Sequence, residues 1–273
     1  YLLLKEPYNK KYMMLYILVF FIPHISGFFL FNNHTIDLDN KVSVASVQPN
    51  ISLMEKRSLT SHKEKVDKLI DLSQSFIDSN YNLIVWPESI VSMKIFRSTK
   101  FLERINKNDT TILLSGIFYR NYDNGISNNY NSIINLSNIK DKLYHKIKLV
   151  PFAEYIPLNK YIPQLKNLNF GQANFEIGSE YKLFKLGQHY IAGMVCIEST
   201  YYNLSREFVN KGANMIAYVI NDGWYTTPPE PQQHAKQSIF RAIETRRPIV
   251  RCTNTGISMI INQFGEVIDQ LEL

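Results

Sequence analysis

Alternating strand and helix patterns mark this chain as α/β, a sheet covered by helices, with a single apolar segment ahead of it. Three observations carry that reading. Short apolar runs alternate with segments of helical spacing over most of the length, the order expected of layered α/β domains. No Gly-rich phosphate loop interrupts them, which sets aside the nucleotide-binding members of the class. Residues 13–31, MMLYILVFFIPHISGFFLF, contain no Lys, Arg, Asp or Glu and are long enough to cross a bilayer as a helix.

Lys5, Lys10 and Lys11 precede that run, and the positive-inside tendency assigns them to the cytoplasmic face. Residues 1–11 therefore read as a cytoplasmic flank, 12–31 as a transmembrane helix and 32–40 as a polar linker. The remainder, 41–273, is expected to form one domain beyond the membrane, which in a bacterium is the periplasmic side of the inner (cytoplasmic) membrane. A signal peptide and a buried core helix compete for the apolar run, yet no small-x-small cleavage site follows it. Tyr1 is not a start methionine, so the chain reads as part of a longer polypeptide.

Residues 41–48 alternate as a strand does. Ser61-His62-Lys63-Glu64 has the form of a capping box, and Val66, Leu69, Ile70, Phe76 and Ile77 follow at helical spacing. Residues 83–86 form a buried-strand run that ends at Pro87-Glu88, and 111–118 and 131–136 read as further strands. Beyond them, 181–186 and 189–195 are strands, 199–210 a helix and 215–220 a strand. The segment 231–246 places Ala235, Ile239, Ala242 and Ile243 on one helical face. Strands at 249–253 and 257–261 and a turn at Gln263-Phe264-Gly265-Glu266 close the chain.

Composition narrows the chemistry. A net charge of +6 is spread along 273 residues, with Lys140, Lys142, His145, Lys146 and Lys148 as its densest group. No nucleic-acid module is recognisable, and weak attraction to anionic lipid headgroups accounts for the excess. Cys196 and Cys252 make no disulfide framework, and the six histidines fall into no HExxH or other metal pattern. Neither a metal nor a cofactor is expected.

Three apolar strands end in reactive side chains: Val85-Trp86-Pro87-Glu88, Leu143-Tyr144-His145-Lys146 and Met194-Val195-Cys196. Proline cannot continue a ladder, so Glu88 is expected to leave the sheet at its edge, where pockets form. Cys196, ahead of a helix start at Ser199-Thr200, is expected to have its thiol lowered by the partial positive charge there. A lone cysteine of this kind is more often a small core residue. A carboxylate to take its proton and an amine to stabilise the developing oxyanion change that reading.

The three segments resemble the signatures of the nitrilase superfamily, which works through a Glu-Lys-Cys triad. The continuation after Lys146, LVPFAEYIP, together with Tyr130-Asn131-Ser132, Asn221-Asp222-Gly223-Trp224, Arg247-Pro248 and Thr253-Asn254-Thr255-Gly256, is similar to the apolipoprotein N-acyltransferase family. The resemblance implies an αββα sandwich behind one transmembrane helix. It implies Glu88 as general base, Lys146 as oxyanion and thiolate stabiliser, and Cys196 as nucleophile. Glu154 matches a second glutamate that orients the lysine or the incoming amine, and Glu198 the carboxylate just past the cysteine. Ile197 would donate its backbone N–H to the oxyanion. Trp224 and Arg247 match substrate-binding positions near the acyl chain and headgroup.

The sequence departs from the family where Lys148 replaces a frequent histidine, where 50–57 lack a tryptophan, and where Ile197 replaces an aromatic of some members. The activity implied is transfer of an acyl chain from a phospholipid, through a thioester on Cys196, to the diacylglyceryl-cysteine N-terminus of an apolipoprotein, beside a lipid bilayer. Phe152, Tyr155, Ile156 and Leu158 are candidate lid residues. A membrane-tethered carbon–nitrogen hydrolase acting as an amidase, and a binding module with a degenerate pocket, are the competing readings.

Overall fold

The computed structural model describes residues 10–32, 41–52, 62–92, 103–104, 111–123, 125–158, 161–162, 164–165, 173–224 and 228–272. Helix α1 (Lys10–Asn32) has no buried side chain and is long and apolar enough to cross a membrane. At the α-helical rise its 23 residues extend about 34 Å. Pro23 lies inside it, and three residues on Ser26 Oγ donates to the carbonyls of Ile22 and Pro23. A hydroxyl bonding back in this way keeps polar atoms satisfied in an apolar surround.

Residues 42–273 form a separate compact unit built on two sheets. The first contains β1 (Val44–Ser46), β2 (Leu83–Ser92), β3 (Ile112–Asp123), β4 (Ile126–Asn135) and β5 (Tyr144–His145) in chain order. β1, β2 and β3 run parallel, and β4 and β5 are antiparallel additions. In the second, β6 (Leu183–Leu186), β7 (His189–Val195), β8 (Met215–Ile220), β9 (Ile249–Thr253), β10 (Ser258–Ile261) and β11 (Val267–Leu271) lie in the order 11-10-9-8-7-6. Here β7, β8 and β9 are the parallel set.

Strand β2 shows why its sequence is a continuous apolar run. Leu83 and Val85 enter the core that joins the two sheets, whereas Ile84 and Trp86 enter the core beneath helix α2 (His62–Asp78). A strand buried on both faces has no polar side to show. The indole N–H of Trp86 donates to Ser73 Oγ of α2 at 2.9 Å, so burying the ring leaves no orphan donor. Helices α3 (Tyr202–Asn210) and α4 (Glu230–Thr245) cover the second sheet through Leu204, Phe208, Ala235 and Ala242. Helix, sheet, sheet, helices is the αββα sandwich the motifs imply.

Several boundaries differ from the sequence reading. β1 is shorter than 41–48, and Ser61 of the expected capping box lies outside the described residues. β3 and β4 run on as a long hairpin to Asp123 and Ile126. The strand expected to end at Pro87 continues to Ser92: its ladder with β3 stops at Trp86 and resumes at Val91, so residues 87–90 bulge opposite Gly116 alone. Proline removes a donor there, and the strand resumes once the extra residues have looped out. The helix expected over 199–210 is split into a 3-10 turn, Cys196–Thr200, and α3, with Tyr201 extended between them. Ser199 Oγ and Thr200 Oγ1 bond back to the carbonyls of Cys196 and Ile197, a three-residue spacing that favours the tighter turn.

Candidate active site

Glu88 stands on the β2 bulge, and the bulge exists because Gly116 has no side chain. A Cβ on Gly116 would lie 2.6 Å from Glu88 Cα and 2.7 Å from the Pro87 carbonyl oxygen. Ser89, the next residue, takes φ +47°. Glu88 Oε1 accepts a 2.7 Å hydrogen bond from Asn131 Nδ2 on β4. The same amide donates to Glu154 Oε1 at 3.1 Å, so one asparagine holds two carboxylates side by side.

Lys146 follows β5 and is 1% exposed. Its Nζ lies 2.9 and 2.8 Å from the two Glu154 oxygens and 4.0 Å from Glu88 Oε1. Its main chain is fixed on both sides: Lys146 N donates to Asn131 O, and Lys146 O accepts from Gly178 N, each at 2.8 Å. A Cβ on Gly178 would sit 2.0 Å from the His145 carbonyl oxygen, so only glycine allows that approach. Burial works against charge on Lys146, but the negative charges of Cys196, Glu88 and Glu154 outweigh it and hold the ammonium above the ordinary lysine range.

Cys196 opens the 3-10 turn at φ +51° and is half-buried. Burial, then the charge of Glu88, push its thiol well above the ordinary value, with Lys146 pulling the other way. This reverses the expectation of a lowered thiol. Desolvation outweighs the few leading N–H groups of a single turn. The first sheet thus supplies Glu88 and the residues about Lys146, the second supplies Cys196, and the groups feel one another's charge.

Glu198 is completely buried and binds the backbone together. Its Oε1 accepts from Tyr144 Oη and the Ile147 N–H at 2.7 Å and from the Lys148 N–H at 3.0 Å, while Oε2 accepts from the Val195 N–H at 2.7 Å. Burial raises Glu198, against the opposing pull of those donors and of Lys146. The carboxylate therefore ties the segment after Lys146 to the segment before Cys196. Ile197 occupies the first turn after Cys196, where leading N–H groups have no acceptor within the helix.

Trp224 ends the turn after β8, at the strand edge where β7 delivers Cys196, and is 58% exposed. Arg247 is elsewhere. It precedes β9, and its Nε donates to the Ala213 carbonyl at 3.1 Å ahead of β8, at the opposite edge of the parallel strands. The five residues of β9 span about 16 Å, so Arg247 stands at the end of the parallel strands away from Cys196, where it ties the start of β9 to the start of β8. Of the lid candidates, Phe152 and Leu158 are exposed and both have positive φ, whereas Ile156 is core.

Sequence reasoning gave Asn131 no role, although its motif was conspicuous. It also missed a buried polar group behind Cys196, made of Ser199, Asp222, His234 and Arg251. Only the Asn-Asp-Gly-Trp motif hinted at that group.

A family model described as carbon-nitrogen hydrolase matches residues 43–273. An apolipoprotein N-acyltransferase of Geobacter metallireducens is 30% identical over 267 residues, covering 96% of this chain and 51% of that protein. One of Thermotoga maritima is 27% identical over 272 residues, covering 97% and 50% respectively. The chain spans about half the length of the curated relatives it matches. Among solved structures, a nitrilase-superfamily member of Saccharomyces cerevisiae has a TM-score of 0.60 at 15% identity, covering 85% of this chain and 86% of that one. A carbon-nitrogen hydrolase of Helicobacter pylori has a TM-score of 0.59 at 16% identity, with 85% of each chain covered. At such identities these two show the fold alone.

Proposed function

Because the chain belongs to the carbon–nitrogen hydrolase family, we propose that it carries the catalytic unit of an apolipoprotein N-acyltransferase, with Cys196 as nucleophile. The observation that carries the chemistry is a buried lysine held between two carboxylates and coupled in charge to a thiol from the opposite sheet. The relatives' names supply the substrate class.

In the first step Glu88 takes the Cys196 proton and Sγ attacks an ester carbonyl of a phospholipid. Lys146 Nζ and the Ile197 N–H stabilise the oxyanion. The S–C bond forms, the C–O bond breaks, and Glu88 returns the proton to the departing alkoxide, leaving a thioester and a lysophospholipid. In the second step the α-amine of a diacylglyceryl-cysteine attacks the thioester. The N–C bond forms, the C–S bond breaks, and the amine proton passes through Glu88 to the thiolate. Glu154 touches no reacting atom in this scheme; it orients Lys146.

Exposed Phe152, two residues from Glu154, and exposed Trp224 give the surroundings of the site the apolar character a lipid chain needs. Helix α1 would anchor the chain in a bacterial inner membrane, with Lys10 and Lys11 on the cytoplasmic side and the catalytic unit in the periplasm. The test is intact-mass spectrometry after incubation with phosphatidylethanolamine vesicles. The expected result is a mass gain of one acyl chain, lost in Cys196→Ala. An unmodified protein, or an adduct that persists in Cys196→Ala, would refute the assignment.

A further inference from the structure

Behind Cys196 lies a polar network that the two-step mechanism does not use. His234 of α4 directs Nδ1 to Asp222 Oδ1 at 2.8 Å, and Arg251 Nη2 of β9 donates to Asp222 Oδ2 at 2.7 Å. His234 Nε2 lies 2.9 Å from Ser199 Oγ and 3.3 Å from the carbonyl oxygen of Cys196. Ser199 Oγ donates to that carbonyl at 2.9 Å. All four side chains are buried, Ser199 and Arg251 completely. Gly256 leaves room for the group, since a Cβ there would come within 2.9 Å of Asp222 Oδ2.

Serine, histidine and aspartate in this order suggest a second nucleophilic triad. Burial argues against that. No acyl carbon can reach a hydroxyl that is fully enclosed and turned toward a main-chain carbonyl. The network ends on the backbone of Cys196, and that backbone is strained. A non-glycine residue at φ +51° occupies the sparse left-handed region and stays there only where its surroundings over-determine it. Asp222 accepts the Nδ1 proton and so fixes the imidazole's orientation, as carboxylate partners of histidine do. Arg251 in turn fixes Asp222 from a different strand.

We propose that Ser199, His234 and Asp222, anchored by Arg251, are positioning residues that hold the Cys196 carbonyl and thereby lock the left-handed turn that aims its thiol. The proposal rests on the reading of Cys196 as the nucleophile. Removing a member frees the turn to relax, so the thiol spends less time on the line of attack while every folded molecule still acylates eventually.

The test uses the full chain in detergent with p-nitrophenyl butyrate, reading the rate and the amplitude of the nitrophenolate burst. Ser199→Ala and His234→Ala are expected to slow the burst about tenfold to a hundredfold with its amplitude unchanged, the cost of misplacing a reacting group. His234→Gln, whose amide can still pair with Ser199 Oγ, is expected to recover part of that loss. A falling amplitude at unchanged rate would mean a purely structural role and would overturn the proposal, as would an unchanged rate in both alanine variants. If His234→Ala does not fold, Ser199→Ala and His234→Gln decide the matter. A wild-type chain without a burst, or a burst retained by Cys196→Ala, overturns the nucleophile assignment instead.

Discussion

At the scale of single residues, the site opposes two demands on Cys196. Burial and Glu88 keep its proton on, while Lys146 favours the thiolate. Two consequences of opposite sign follow for Glu88→Gln. Losing a negative charge that raises the thiol should move the pH midpoint of iodoacetamide alkylation down, toward the ordinary cysteine value of about 8.5. Losing the base should nevertheless slow ester acylation by roughly 10²–10⁴-fold. Lys146→Met should move the alkylation midpoint up, because a positive charge that favours the thiolate is gone. Cys252 does not confuse the measurement: burial pushes its thiol up to about 12, and its Sγ donates to the Val85 carbonyl at 3.0 Å. A midpoint that is unmoved or raised in Glu88→Gln would contradict the electrostatic reading.

Among the elements, the β2 bulge positions Glu88, the proposed base, and Gly116 makes the bulge possible. Gly116→Ala forces the loop at Glu88 to shift. We expect a stability loss of about 1–3 kcal/mol by urea denaturation, typical of overpacking, together with slower ester acylation as the Asn131 contact to Glu88 lengthens. Unchanged stability and rate would show that the bulge is compliant. Elements buried on both faces were the legible ones in the sequence: β7, β8 and β9 lie where their apolar runs place them. The bulge was not legible, because proline signals that a ladder stops and says nothing of its resumption after four residues. The contacts of Asn131 and of the His234 network were not legible for a related reason. Their partners lie on elements remote in sequence, and an isolated polar residue on a strand or helix carries no periodic signal. The place of Arg247 was not legible either, because a motif reports that a residue belongs to a family pattern and not which end of a parallel strand it occupies.

For the whole molecule, the proposed catalytic groups are divided between two sheets that meet through one apolar core. Leu83, Val85, Ile133 and Tyr144 come from the first sheet, and Phe184, Met194, Val195 and Val219 from the second. Glu88, Lys146 and Cys196 are therefore brought within reach of one another's charge only when that core has formed. Glu198 reinforces the junction by accepting from Tyr144 on one side and the Val195 N–H on the other. What separates an acyltransferase from a hydrolase on this scaffold is the fate of the thioester. The deciding measurement loads Cys196 with an acyl chain from phosphatidylethanolamine vesicles, adds a diacylglyceryl-cysteine peptide, and follows protein and peptide by mass spectrometry. Transfer requires the acyl mass to leave Cys196 and appear on the peptide's α-amine. Release of free fatty acid, with the peptide unmodified, would contradict it.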